Sequence, residues 1–159
     1  MSILVNNHNS KYSKTLLDTL KNELSAGTTV NIKLGGFSMW PFIKSGTIAV
    51  VKKQNISELK SGDIIVFSSI NKLIAHRIIY CNKSKTKIIT KGDNKFYNDG
   101  YLTATNYYGK INLINNETKS IIPDSKLNSI LNFILAKLSY ILTPFYRVFF
   151  KFIKYSNLG

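Results

Sequence analysis

Between residues 29 and 114 the chain breaks into short β-rich runs separated by turn residues, and this texture restricts the fold more than any other feature. The runs are TVNIKL, TIAVVKK, DIIVFSS, LIAHRIIY, KIIT and GKINLI. Segments such as Ser61-Gly62-Asp63 and Asn98-Asp99-Gly100 divide them. β-branched residues pack well on a pleated surface, while Gly, Asn, Asp and Ser supply the backbone angles and local hydrogen bonds that reverse a chain. The regular spacing predicts a mainly β fold, a small barrel or coiled sheet, with no internal repeat.

The flanks read differently. Leu16, Leu17, Leu20 and Leu24 recur at helical steps and predict a short helix over 11–26, with Ser10 as a possible cap and Gly27 as its end. At the other end, Leu127, Ile130, Leu131, Ile134, Leu135, Leu138, Ile141, Leu142, Phe145, Phe149 and Phe152 form one helical stripe. Lys137, Arg147, Lys151 and Lys154 lie off the stripe, and no acid follows Asp124. A basic, aromatic, amphipathic helix of this kind lies in a membrane interface. A spanning helix and a helix packed on the domain's own core are the rival readings, with Lys137 and Pro144 counting against the span. Pro144 should kink the helix or split it in two. The expected layout is therefore an N-terminal segment (1–28), a β domain (29–124) and a membrane-associating helix (125–159).

Composition narrows the partners. The 159 residues are 44% hydrophobic and 19% charged, enough for one ordinary globular core. Basic residues number 22 against 8 acidic ones, a net charge of +14. Such a field suits nucleic acid, anionic lipid or an acidic substrate. Yet Arg77 and Arg147 are the only arginines, and a Lys-, Asn- and Ile-rich chain also follows from AT-rich codons. No aromatic-basic ribonucleoprotein box is present, so nucleic acid is not expected as a partner. The one cysteine, Cys81, excludes a disulfide framework and a thiolate zinc cage, and reads as a small, half-buried strand residue. The opening MSILVNNHNSKYSK holds no apolar run fit for a signal peptide or a span.

Three segments carry chemistry. In GGFSMWPFIKSG (35–46), glycines permit a sharp turn and Pro41 fixes φ, so Ser38 is presented like a nucleophile. In LIAHRIIY (73–80), His76 interrupts an apolar strand; histidine is the default general base near neutral pH. His8, in a polar tail, has no such setting. In TKGDNKFYNDG (90–100), Asp93 and Asp99 lie in a Gly/Asn-bounded loop. Taken singly, each has a structural explanation: a loop serine, a satisfied core histidine, a turn aspartate. Together they are the set needed for acyl transfer, in which a serine attacks, an imidazole takes its proton and a carboxylate orients the imidazole.

The segments resemble the boxes of the type I signal peptidase family. The serine box is matched by Gly36-Phe37-Ser38-Met39-Trp40-Pro41, then Gly46 and Thr47–Val51. The next is matched by Gly62-Asp63-Ile64-Ile65-Val66-Phe67, the base box by Ala75-His76-Arg77-Ile78-Ile79, and the final box by Thr90-Lys91-Gly92-Asp93-Asn94 with Asp99 following. All stand in the family order over roughly residues 30–114. Most bacterial members use a Ser-Lys pair; His76 places this chain with the branch similar to archaeal and endoplasmic-reticulum enzymes. The resemblance implies Ser38 as nucleophile, His76 as base, Asp99 as the orienting acid, and Asp93 as loop support or a sharer of the acid role. Gly36, Met39 and Arg77 are supporting residues, and neither cofactor nor metal is implied. The expected partners are a peptide or pre-protein with small residues before the cleavage site, and an anionic membrane surface met by residues 126–156. The protein would sit at a membrane, peripherally or by a single C-terminal anchor.

Self-cleaving repressors with a similar serine box use lysine and carry a DNA-binding segment that the region before the β runs is too short to hold. One departure matters. Many signal peptidases carry a serine two positions before the nucleophile that helps bind the oxyanion, and here Gly36 stands there. The alternative reading is a catalytically idle peptide- or membrane-binding module that retains the fold. The apolar runs Ile64–Phe67 and Ile48–Val51 are the expected cleft walls, with Met39, Trp40 and Phe42 rimming the cleft, dipping into lipid or simply packing. Asp63 is expected to brace a turn.

Overall fold

A computed structural model of the chain describes residues 3–7, 12–70, 72–115 and 120–156, with side chains described for 12–70, 72–115, 120–146 and 148. In chain order the elements are β1 (Ile3–Asn7), α1 (Lys14–Ser25), β2 (Val30–Leu34), β3 (Ile48–Lys52), β4 (Ile64–Ser69), β5 (Lys72–Cys81), β6 (Ile88–Lys91), β7 (Tyr107–Asn115), β8 (Ser120–Ile121) and α2 (Lys126–Ser156). All six β-rich runs become strands. β1 and β8 are additions that side-chain pattern did not reveal.

The strands form one sheet in the order β1-β2-β3-β7-β4-β5-β6, with β8 paired to β7. β1 runs parallel to β2, and every other pairing is antiparallel. The two end strands, β1 and β6, are not sheet neighbours, so the sheet is open: the coiled form of the expectation, not a closed barrel. Register shifts at Val50/Val51, Val66/Phe67 and Ile78/Tyr80 mark bulges that bend and twist it.

Alternation along β4 explains why its run is apolar throughout. Ile64 and Val66 join the larger core cluster, which also takes Leu17, Leu20 and Leu24 of α1. Ile65 and Phe67 join the smaller cluster with Leu59, Ile78 and Tyr107. A strand buried on both faces needs no polar positions. Helix α1 is capped by Ser13, whose hydroxyl accepts from the Leu16 backbone N–H at 3.2 Å. The expected cap, Ser10, lies outside the described residues, as does His8. Cys81 is half-buried on β5, as expected.

Helix α2 corrects one expectation and bears on the choice among the three readings of its stripe. It runs from Lys126 to Ser156 through Pro144 as one helix, not two. Most of its apolar stripe faces outward: Leu127, Ile130, Leu131, Ile134, Leu138, Ile141 and Phe145 are exposed, while Leu135 of the stripe is buried. Leu135, Ala136, Ser139 and Thr143 are the buried positions, a largely small and polar set. A helix packed by its apolar stripe on the domain core would show the opposite arrangement. The side chains of Arg147, Lys151 and Lys154 lie outside the described residues.

Candidate active site

The three chemical segments meet at one point. Ser38 sits in the turn after β2, His76 in the middle of β5, and Asp99 in the loop after β6. Ser38 Oγ lies 3.0 Å from His76 Nε2, and His76 Nδ1 lies 2.6 Å from Asp99 Oδ2. Thr90 Oγ1 donates to the same Asp99 oxygen at 3.0 Å. The Asp99 backbone N–H donates to Thr90 O at 2.9 Å and so pins the loop to the end of β6.

Electrostatics fixes the tautomer. Burial works against the Asp99 charge, but the bond from His76, the charges of His76 and Lys95, and the Thr90 hydroxyl outweigh it and hold the carboxyl below the usual aspartate range. An ionised carboxylate facing Nδ1 keeps the proton there, leaving Nε2 to accept from Ser38 Oγ. The imidazole is buried, and the Phe67 ring packs against it edge-on at 6.2 Å between centroids.

Two glycines shape the serine side. Gly92 closes over the pair: a Cβ there would lie 2.7 Å from Ser38 O and 2.9 Å from His76 Nε2. Only a residue without a side chain can stand at that place. Gly36 has φ +79, a backbone region that L side chains disfavour, which explains why no serine occupies it. Asn94 then fastens the two segments together, donating from its backbone N–H to Ser38 O at 2.8 Å and from Nδ2 to Phe37 O at 3.2 Å.

Asp93 does not reach the Ser-His pair. It forms a bidentate bond with Arg77, whose Nε and Nη2 donate to its two oxygens at 2.8 Å each. Arg77 Nη1 donates further to Gly62 O and Asn132 Oδ1. Both are buried, so Asp93 and Arg77 are structural partners beneath the loop. Asp63 braces its turn, accepting from the Lys60 N–H at 2.9 Å and pairing with the buried Lys110.

A cavity of about 480 Å³ opens in front of the pair. Its floor is apolar, from Leu34, Met39, Ile43, Leu73 and Ala75, with Lys44, Lys72 and Lys95 also lining it. The expected walls, Ile64–Phe67 and Ile48–Val51, are not among the lining residues; the strands that line the cavity are β2, through Leu34, and β5, through Lys72–His76. Met39 is buried in the core rather than dipping outward, and Phe42 packs edge-on against Tyr146 of α2. Phe37 is the exposed aromatic beside Ser38.

Sequence reasoning missed the service roles of Thr90, Gly92 and Asn94. The signal was present, since all three lie in the box that supplied Asp93. Lys91 lies in the same box, but nothing in the pattern marks it as buried; Asn132 and Thr143 carried no signal. Among the described residues no group of three His, Cys, Asp or Glu side chains could hold a metal ion.

No curated protein and no solved structure matches the chain. Residues 2–112, which include Ser38, His76 and Asp99, match the family described as peptidase S24-like. The chain therefore belongs to the peptidase S24-like family and has a serine-peptidase-like fold.

Proposed function

We propose that the protein is a membrane-associated serine endopeptidase that cleaves signal or leader peptides after small residues. The observation that carries this reading is the continuous Ser38–His76–Asp99 hydrogen-bonded relay at the edge of an open cavity. Ser38 Oγ attacks the scissile carbonyl while His76 Nε2 takes its proton; the imidazolium then returns a proton to the leaving amine. Asp99 holds the ring orientation and stabilises the positive imidazolium. Because residue 36 is glycine, stabilising the oxyanion falls to backbone N–H groups, that of Ser38 among them. Losing one donor typically costs about 10²–10³ in rate, so turnover is expected to be slow.

β6 pairs with β5 only from Arg77 to Cys81, and the Lys72–His76 half borders the cavity. A substrate laid beside that half binds as an added strand, with alternate side chains entering shallow pockets. The apolar floor and limited volume favour small side chains next to the bond cut. The substrate class follows the resemblance of the four boxes to the type I signal peptidases that use histidine.

Membrane association is supported by α2. Its first part, Lys126–Tyr146, is long and apolar enough to cross a bilayer. Several of its side chains, however, bond to the β domain: Ser129 to Lys60, Asn132 to Arg77 and Tyr140 to Asn98. A helix fastened along one side and apolar on the other fits a position in the interface plane.

The test is cleavage of a peptide with Ala at −1 and −3 by the full-length protein in detergent or vesicles. Ser38→Ala and His76→Ala should each lower kcat by at least about a thousandfold while the thermal transition persists. Cleavage undiminished in Ser38→Ala would remove the enzyme assignment and leave the idle-module reading.

A further inference from the structure

Below the catalytic loop lies a buried ammonium that the proposed mechanism does not use. Lys91, at the end of β6, is 0% exposed. Its Nζ donates to Gly92 O at 3.3 Å, Ser139 O at 3.2 Å and Thr143 Oγ1 at 2.8 Å. An ammonium has three protons, and these are three acceptors, so its hydrogen bonding is complete. None of the three is a carboxylate. Burial therefore pulls Lys91 below the ordinary lysine range, against the opposing influence of Asp93 and Asp99. Lys91 also stands directly across from Arg77 in the β5–β6 register, and like charges facing each other on neighbouring strands repel. An apolar side chain of the same length would avoid both costs.

The acceptors show what these costs secure. Gly92 is the residue that closes over Ser38 and His76. Thr143, 0% exposed on α2, donates to its own helix at Ser139 O, 2.6 Å away, and its hydroxyl lies 3.2 Å from Asp93 O and 3.3 Å from Lys95 O. One ammonium bonds the Gly92 carbonyl to α2, and the Thr143 hydroxyl, its single proton given to Ser139 O, packs against the backbone of residues 93 and 95 on the same turn. Pro144 follows Thr143 and lacks the N–H that would bond the residue 140 carbonyl, so the helix ladder is interrupted beside this turn. Nearby, α2 presses close: a Cβ at Gly62 would lie 2.8 Å from the Phe133 backbone nitrogen.

We infer that Lys91 and Thr143 are positioning residues that lock the Gly92–Asp99 loop onto α2, making this helix, which lies outside the matched family region, part of the catalytic frame. The inference rests on the reading of Ser38 and His76 as the reactive pair. The loop carries Asp99 and places Gly92 against that pair, and a shift of about 1 Å in such a site can cost about a hundredfold in rate. Helix α2 then has two faces with separate duties: an outer apolar one, and an inner polar one that sets the loop.

The test compares full-length wild type with Thr143→Val, Thr143→Ser and Lys91→Met. Thr143→Val keeps the shape but removes the Thr143 Oγ1 acceptor, leaving Lys91 only Gly92 O and Ser139 O. It should lower kcat roughly 10–100-fold with KM within about twofold, and Thr143→Ser should restore kcat to within about threefold. Backbone hydrogen exchange should speed up across residues 92–99 in Thr143→Val and Lys91→Met. Unchanged exchange in that loop would overturn the inference, as would a Thr143→Val protein with wild-type kcat and only a lowered melting temperature. If wild type shows no peptidase activity, the exchange measurement still decides the strut, and the peptidase reading alone is lost.

Discussion

His76 stands between two residues that are far apart in the chain: Nε2 is 3.0 Å from the Ser38 hydroxyl and Nδ1 is 2.6 Å from the Asp99 carboxylate. The three arrive from a turn, a strand and a loop, and each is held by separate contacts. Ser38 is held by Asn94 through its carbonyl, Asp99 by Thr90, and His76 by its place within β5.

This relay sets the pH dependence. A histidine base accepts a proton only while neutral. The cleavage rate should fall on acidification as the imidazole gains a proton, and a rate that does not respond to acid while the fold persists would argue against a histidine base. Stability responds through Asp99. The native Asp99 carboxyl is held below its unfolded value, so its contribution is full above the unfolded aspartate pKa of about 3.9 and is lost as pH falls through the lower native value. Acid unfolding of Asp99→Asn should therefore show a shallower loss below about pH 4 than wild type.

The glycines separate fit from flexibility. Gly92→Ala should abolish cleavage, since the new methyl meets Ser38 O and His76 Nε2 inside van der Waals distance. Gly36→Ser meets open space but must hold a positive φ. It should cost about 1–2 kcal/mol in denaturant unfolding and should not accelerate cleavage. A faster Gly36→Ser enzyme would show that the serine can reach the oxyanion despite its backbone.

Lys44, Lys72 and Lys95 line the cavity, and its lining among the described residues includes no carboxylate. A cleft lined by one charge sign concentrates ligands of the opposite sign. Peptides with glutamate several residues from the scissile bond should therefore show kcat/KM roughly 2–10-fold above lysine-flanked ones at low salt, the gap closing near 0.5 M salt. Equal rates for both at low salt would show that these lysines do not select.

The exposed face of α2 makes a separate prediction for lipid. Full-length protein should bind vesicles containing anionic phospholipid, and the double substitution Ile130→Glu, Ile141→Glu should weaken binding by at least about tenfold without changing the fold, because both side chains are exposed. Undiminished binding would assign the affinity to the diffuse positive charge.

Much of this was legible in the sequence because the informative residues were local. Six runs named six strands, and the boxes named Ser38, His76 and Asp99 before any distance was known. The apolar stripe of α2 was also legible, and most of it faces outward. What stayed hidden depends on partners distant in sequence. β1 joins the sheet by parallel pairing with β2, which leaves little mark on a five-residue strand. Asn132, Ser139 and Thr143 look like unremarkable helix residues until Arg77 and Lys91 are placed beneath them. Ser13 caps α1 in place of Ser10 because helix ends depend on one local hydrogen bond more than on apolar spacing.

The most direct measurement is covalent labelling of the full-length protein with a serine-reactive acylating probe at neutral pH, followed by mapping of the modified residue. A single adduct on Ser38 is expected, slowed at least about a hundredfold in His76→Ala and absent in Ser38→Ala. Labelling spread over other serines, or an equal rate on Ser38 without His76, would contradict Ser38 and His76 as the reactive pair.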